Sequence, residues 1–290
     1  VPSIRKFVRG ERKLVMTTCY DYPTARFLDR AGLDAVLVGD SVGNTVQGHP
    51  DTVSVTLEQM IYHTEMVSRA AENMLVIGDL PFMSYQLSAE QGLESAGRLM
   101  KEGRCQAVKM EGGGRVVDTV MRIVEAGVPV MGHLGHTPQS VHIQGHRFQG
   151  QDEETARRLI TDAEDLEAAG AFALVLEYVP RQLARRITES LRIPTIGIGS
   201  GPDCSGQVLV FHDLFGLTEG KPFRHTMVTQ NLGDAITEGA KAFRAAVEQG
   251  SFPSEENGAE LKPEVAEALG ITTAAPQPAE KEPRGAENSN

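Results

Sequence analysis

The sequence is short of positive charge, of cysteine and of long apolar runs, and each shortage excludes a class of function. Among 290 residues, 28 Lys and Arg face 39 Asp and Glu, a net charge of −11 with a pI near 5.3. Such a chain repels phosphate backbones, which argues against nucleic acid as a partner. No run of about 18 apolar residues occurs, so no membrane span is expected. The start, Val1 to Lys6, leads into charged sequence without an apolar h-region, so no signal peptide is expected. Cys19, Cys105 and Cys204 are odd in number and widely spaced. They exclude a disulfide framework and a CxxC metal site, and they suit a reducing cytoplasm. Two motifs are also missing. The turn Thr18–Pro23 has no GxGxxG, which counts against a doubly wound dinucleotide fold. No HExxH accompanies His133, His136, His142 and His146, so that cluster carries no zinc signature.

What is present is a regular alternation. Short β-branched-rich runs suit parallel strands buried on both faces: Leu14–Cys19, Ala35–Val38, Met74–Asp79, Ala107–Met110, Val128–Gly132, Phe172–Glu177, Pro194–Gly197 and Gln207–Phe211. Helical patterns lie between them. Thr56 with Gln59 and Ser88 with Gln91 read as capping boxes, and Asp152–Glu154 places negative charge at a helix start. Pro180 suits the first turn of a helix, and a last long helix carries Val228, Leu232, Ile236, Phe243 and Val247 on one stripe before Gly250. Eight units in about 250 residues is the period of a single (β/α)8 TIM barrel.

Residues 251–290 differ from the rest. They hold five Pro and eight Glu against two Lys and one Arg, so −5 of the −11 resides there. Phe252 is their only aromatic residue. The expectation is a catalytic barrel over 1–250 and a mostly disordered Pro/Glu-rich tail over 251–290, with a short helix at Lys262–Leu269.

In a barrel the chemistry sits at the C-terminal strand ends. There the sequence places Asp40 and Ser41, Asp79, Lys109 and Glu111, His133, and Glu177. Asp40, Asp79 and Glu111 come from three consecutive strands, spaced about 4.8 Å apart, so they can converge. Three carboxylates in one cavity repel unless a cation compensates, and oxygen ligands favour Mg²⁺ or Mn²⁺ over Zn²⁺. Lys109 and Glu111 are i,i+2 and face the same side, which places Lys109 to hold an anionic oxygen. Glu177, after an apolar strand, can have a raised pKa and act as a base. His133 suits a hydrogen-bond donor or acid near the substrate. The glycine runs Gly112–Gly114 and Gly197–Gly201 can cradle an anion or serve conformation alone.

The stretches Val38-Gly39-Asp40-Ser41-Val42-Gly43, Asp79-Leu80-Pro81-Phe82-Met83, Val108-Lys109-Met110-Glu111-Gly112-Gly113, Gly132-His133-Leu134-Gly135, Thr137-Pro138-Gln139-Ser140 and Ile196-Gly197-Ile198-Gly199 occur in this order. Together they resemble the ketopantoate hydroxymethyltransferases over about residues 3–220. The resemblance implies a barrel of the phosphoenolpyruvate/pyruvate superfamily assembled as a homodecamer. It implies hydroxymethyl transfer from 5,10-methylenetetrahydrofolate, the co-substrate, to 3-methyl-2-oxobutanoate, giving 2-dehydropantoate for pantothenate and coenzyme A biosynthesis. By the same resemblance Asp40, Asp79 and Glu111 match metal ligands for one Mg²⁺ per subunit. Asp40, Ser41, Asp79 and Lys109 match oxo-acid contacts, and Glu177 matches the proton acceptor. The implied route is a Mg-stabilised enolate formed by C3 deprotonation. The chain departs from the family pattern at Ser205, where Asp is usual, at His136, where Leu is commoner, and around His225–Asn231.

Two other readings stand beside this one. A Mg-dependent C–C lyase of the same superfamily is expected to carry a KKCGH-type cysteine loop, which is missing. A non-catalytic barrel scaffold has no reason to gather three acids and a lysine at one level.

Overall fold

The computed structural model describes Phe7 and residues 12–272. Eight parallel strands close into a barrel in sequence order: β1 (Leu14–Thr18), β2 (Ala35–Val38), β3 (Leu75–Asp79), β4 (Ala107–Glu111), β5 (Val130–Gly135), β6 (Ala173–Glu177), β7 (Thr195–Ile198) and β8 (Gly206–Leu209). The helices are α1 (Tyr22–Arg30), α2 (Val42–Thr45), α3 (Leu57–Ala70), α4 (Ala89–Lys101), α5 (Val117–Glu125), α6 (Val141–Gln144), α7 (Glu153–Ala168), α8 (Arg181–Ser190), α9 (Phe211–Leu214), α10 (Leu232–Glu248) and α11 (Pro263–Leu269). The TIM barrel expected from the eight-fold alternation is the fold observed.

Strand pleat divides the core in two. Met16, Leu37, Ile77, Ala107, Met131, Ala173, Val175, Ile196 and Val208 fill the barrel interior. Val36, Val38, Val76, Val108, Met110, Leu174 and Leu176 point outward and pack with helical residues such as Met60, Val67, Leu99, Ile123, Leu166 and Ile187. With a period of two, the inward row that starts at Ile77 reaches Asp79, and the one at Ala107 reaches Lys109 and Glu111. The rows at Met131 and Val175 likewise reach His133 and Glu177. The interior is therefore apolar along most of its length and ionisable at the C-terminal mouth.

Caps set the helix starts. Thr56 and Gln59 form the expected reciprocal capping box on α3. Ser88 accepts the Gln91 amide, but the Gln91 side chain bonds Leu87 N–H and Met83 C=O instead of closing a second box. Asp152 caps α7 through Thr155 N–H. Pro180 is the N-cap of α8, one place before the first turn expected for it. Strand β5 runs three residues beyond the expected Gly132, pairing Leu134 with Leu176 and Gly135 with Glu177. Gly135 permits this at φ 96°, because a Cβ there would strike the Glu177 carbonyl.

The chain divides into two compact units, residues 1–233 and 234–290. The first contains the barrel and supplies only the four-residue α9 after β8. In the second, α10 ends at Gly250 (φ 70°), whose N–H reaches Val247 C=O, and Phe243 packs edge-on against Phe252. Helix α11 is the short helix expected at 262–269. Of the proposed tail, residues 273–290 lie outside the described residues. On α10, Ile236 and Phe243 are 63% and 60% exposed.

Candidate active site

Strand register assembles the mouth. Asp79 on β3 pairs with Lys109 on β4, and Glu111 pairs with His133 on β5. Glu177 ends β6 opposite Gly135. Asp40 lies just past β2, and its N–H donates to Asp79 Oδ2 at 3.3 Å. Asp40, Asp79, Lys109, Glu111 and His133 are all buried, while Glu177 retains partial access to solvent.

The ionisable atoms form one continuous chain. Lys109 Nζ lies 3.0 Å from Asp79 Oδ1, 3.7 Å from Glu111 Oε1 and 3.2 Å from His133 Nδ1. His133 Nδ1 is 3.4 Å from Glu111 Oε1, and its Nε2 is 3.4 Å from Glu177 Oε2. The contact to Glu177 is at ion-pair distance without a formed hydrogen bond. His133 thus sits between the acid at the end of β4 and the acid at the end of β6.

Two polar residues that sequence reasoning gave no role complete the network. The Gln139 amide nitrogen donates to Asp40 Oδ2 and to Leu80 C=O, each at 2.9 Å, and its backbone N–H donates to Glu111 Oε2 at 3.1 Å. Tyr85 Oη lies 2.7 Å from Gln139 Oε1 and accepts Glu111 N–H at 3.1 Å. Gln139 stands in the Thr137–Ser140 stretch, so its place after β5 was legible; its reach to β2 and β4 was not. Tyr85 carried no sequence signal. Ser41 Oγ pairs with buried Tyr20 Oη at 2.8 Å.

Burial dominates the electrostatics of the acids. It raises Asp40 well above the usual carboxylate range, and repulsion from Asp79 and Glu111 adds to it. Burial also raises Asp79, although Lys109 opposes it. For Glu111 burial is outweighed by Lys109 and His133, so its carboxyl is lowered. Lys109 resists the penalty of burial because Asp79, Glu111 and Asp40 surround it, and its ammonium is raised. Burial and Lys109 push His133 down, but Glu111 and Glu177 carry it up to about 9.

The donor set fits a hard cation. Asp79 and Glu111 each engage one oxygen in a hydrogen bond, while Asp79 Oδ1 and Glu111 Oε1 are buried without one. Both oxygens instead face the Lys109 ammonium, at 3.0 and 3.7 Å, and Glu111 Oε1 also lies 3.4 Å from His133 Nδ1. Among the described residues no group of three His, Cys, Asp or Glu side chains is arranged to hold an ion by itself.

Other sequence candidates lie elsewhere. The Gly112–Gly114 run faces the protein's own anion: Gly114 N–H donates to Asp162 Oδ1 at 2.9 Å, and a Cβ on Gly113 would strike the same carboxylate. His142 pairs with Asp51 at 3.1 Å, and the His136 and His146 rings pack 5.2 Å apart.

Barrel and mouth together define a closed (β/α)8 barrel with buried carboxylates gathered at its C-terminal face, where such barrels hold their active sites. A sequence model of ketopantoate hydroxymethyltransferase matches residues 1–255. The 3-methyl-2-oxobutanoate hydroxymethyltransferase of Moorella thermoacetica is 54% identical over 252 residues, 86% of this chain and 93% of the relative. That of Syntrophomonas wolfei is 48% identical over 262 residues, 90% and 95% of the two chains. The chain belongs to the ketopantoate hydroxymethyltransferase family, as the motif order predicts, and it is an enzyme of that family. Among solved structures, phosphonopyruvate hydrolase aligns with a TM-score of 0.59 at 11% identity, over 92% of this chain and 94% of that one. The 2,3-dimethylmalate lyase, a PEP mutase/isocitrate lyase superfamily member, aligns at 0.55 and 18% identity, over 92% and 93%. These likenesses show the fold.

Proposed function

We propose that the chain transfers a hydroxymethyl group from 5,10-methylenetetrahydrofolate to 3-methyl-2-oxobutanoate, giving 2-dehydropantoate, with one Mg²⁺ per subunit. The observation that carries this reading is the gathering of Asp40, Asp79, Lys109, Glu111, His133 and Glu177 at one mouth, in a chain of this family. Asp40, Asp79 and Glu111 are the residues that would hold the cation. Bound Mg²⁺ supplies Lewis acidity toward the adjacent carboxylate and keto oxygens of a 2-oxo acid and so favours its enolate. Phosphonopyruvate hydrolase, a fold neighbour, has been crystallised with oxalate and Mg²⁺, and oxalate presents the same pair of adjacent oxygens.

The protein's own groups do the rest. Glu177 takes the C3 proton, and the C–H electron pair becomes the enolate double bond. Lys109 places positive charge beside the developing oxyanion. Ser41, held by Tyr20, offers a hydrogen bond to the substrate. His133 spans Glu177 and Glu111 and steadies the base. The nucleophilic C3 then forms its bond to the folate methylene carbon as one of that carbon's two C–N bonds breaks, and water adds the hydroxyl oxygen as the second C–N bond breaks, its proton going to the departing tetrahydrofolate nitrogen.

The same reading includes a cytoplasmic homo-oligomer, a decamer by family resemblance. Exposed Ile236 and Phe243 on α10, and Val15 of β1 at 51% exposure, support an assembled form. Among the described residues no helix is long and apolar enough to cross a membrane.

The test is mass-spectrometric detection of 2-dehydropantoate from the oxo acid, the folate and Mg²⁺. Exchange of the C3 proton in D₂O without folate isolates the first step. Glu177→Gln is expected to slow that exchange by about 10²–10⁴-fold. Exchange at the wild-type rate removes Glu177 as the base.

A further inference from the structure

We infer that Gln139 is a positioning residue that orients the Asp40 and Glu111 carboxylates for the metal, and that Tyr85 acts by fixing the Gln139 amide. The inference rests on the Mg²⁺ reading above and deepens it.

One residue reaches two of the three acids. The Gln139 side chain takes Asp40 Oδ2, and its backbone N–H takes Glu111 Oε2. Asp79 Oδ2 is taken by Asp40 N–H, so Gln139 and Asp40 together occupy one oxygen of each carboxylate. The remaining oxygens of Asp79 and Glu111 face Lys109 Nζ at 3.0 and 3.7 Å. A carboxylate pinned at one oxygen presents the other in a fixed direction, which is how partners beyond the ligands tune metal affinity.

The amide has only one workable orientation. Its nitrogen faces a carboxylate oxygen and the Leu80 carbonyl, both acceptors, so a flipped amide would set oxygen against oxygen. Tyr85 enforces the choice. Its hydroxyl oxygen accepts Glu111 N–H, and its single proton reaches Gln139 Oε1 at 2.7 Å, shorter than the 3.1 Å to Glu111 C=O. Glu111 thus locks Tyr85, Tyr85 orients Gln139, and Gln139 holds Asp40. Tyr85 and Gln139 are both buried, so water does not compete for these bonds.

The experiment is calorimetric titration of full-length wild type, Gln139→Leu, Tyr85→Phe and the double variant with Mn²⁺ as the probe. Thermal melts run alongside it. Gln139→Leu keeps the backbone N–H to Glu111 and removes only the amide; about a 10–100-fold weaker Mn²⁺ affinity is expected. Tyr85→Phe leaves the amide held by Asp40, Leu80 and Gln86, whose Nε2 donates to Gln139 Oε1 at 3.3 Å, and is expected to weaken binding less. The double variant should match Gln139→Leu alone, because Tyr85 works through the amide. A purely structural role would lower the melting temperature and leave the affinity of the folded protein unchanged, and that result overturns the inference. Additive losses in the double variant overturn the Tyr85 step. Should Gln139→Leu fail to fold, Gln139→Met takes its place with the same expected loss, and wild-type affinity in that variant overturns the inference; Tyr85→Phe with wild-type affinity overturns the Tyr85 step. A wild-type chain that binds no Mn²⁺ instead sinks the metal reading itself.

Discussion

The barrel mouth and the α10 helix break the usual rule of burial in opposite directions. At the mouth, Asp40, Asp79, Lys109, Glu111 and His133 are each at most 5% exposed. On α10, Ile236, Phe243 and Val247 are 63%, 60% and 47% exposed. Buried ions are tolerated when they are paired or hold a ligand, and large exposed apolar side chains in a row mark a contact surface. The two departures therefore point to different partners. The mouth gathers buried acids around a lysine; the helix presents a row of apolar side chains.

The largest expected effect tests the first half of that contrast. Lys109 is the buried ammonium that faces Asp79 and Glu111, so Lys109→Met leaves only the His133 imidazolium to offset the acids. Removing one partner of a buried ionic group typically costs about 3–5 kcal/mol. Urea denaturation of the metal-free variant is expected to show a loss of that order. Added Mg²⁺ should recover part of it, because a divalent ion supplies positive charge beside the oxygens that faced Lys109. A variant as stable as wild type in EDTA would mean that the acids are neutral rather than paired, and the contrast would lose its electrostatic half.

A smaller effect tests the second half. Replacing Ile236 and Phe243 with Glu puts charge where the apolar row lies. If that row is covered by another copy of the chain, light scattering should show a smaller species, with about 2 kcal/mol or more lost per buried aromatic anchor. An unchanged mass would show that α10 has no such role and that its exposure is tolerated. The barrel fold itself should persist in the variant, since neither side chain belongs to its core.

The same contrast explains what could be read in the sequence. All eight strands were legible, because continuous apolar runs of four to six residues have few alternatives once helical patterns separate them. The inward rows were legible too: a period of two carries Ala107 to Lys109 and Glu111 without any tertiary knowledge. The extension of β5 to Gly135 was hidden, since it depends on a positive φ that admits the Glu177 carbonyl. Gln139 and Tyr85 were hidden for a related reason. Their contacts span up to 99 positions and depend on loop paths, which no local periodicity encodes. The exposure of the α10 stripe was equally invisible, because an amphipathic pattern announces an apolar face but not what covers it.

The smallest effect refines the mouth and concerns His133, which stands between Glu111 and Glu177. In metal-free protein its pKa is carried up to about 9, against burial and Lys109, by those two carboxylates. A raised pKa means that the folded state binds the proton more tightly than the unfolded chain, where His titrates near about 6.5. The resulting stability is fully present below about 6.5 and is lost as pH rises through about 9. Glu177→Gln removes one of the two supports, so the His133 titration should move down and the stabilised window should close from its alkaline side. NMR titration of the imidazole in EDTA measures both proteins directly. A His133 that titrates at the same pH with and without the Glu177 carboxylate would show that the 3.4 Å contact carries no charge coupling. The mouth would then hold two separate acids, one facing the lysine and one facing solvent, rather than a connected chain from base to metal site.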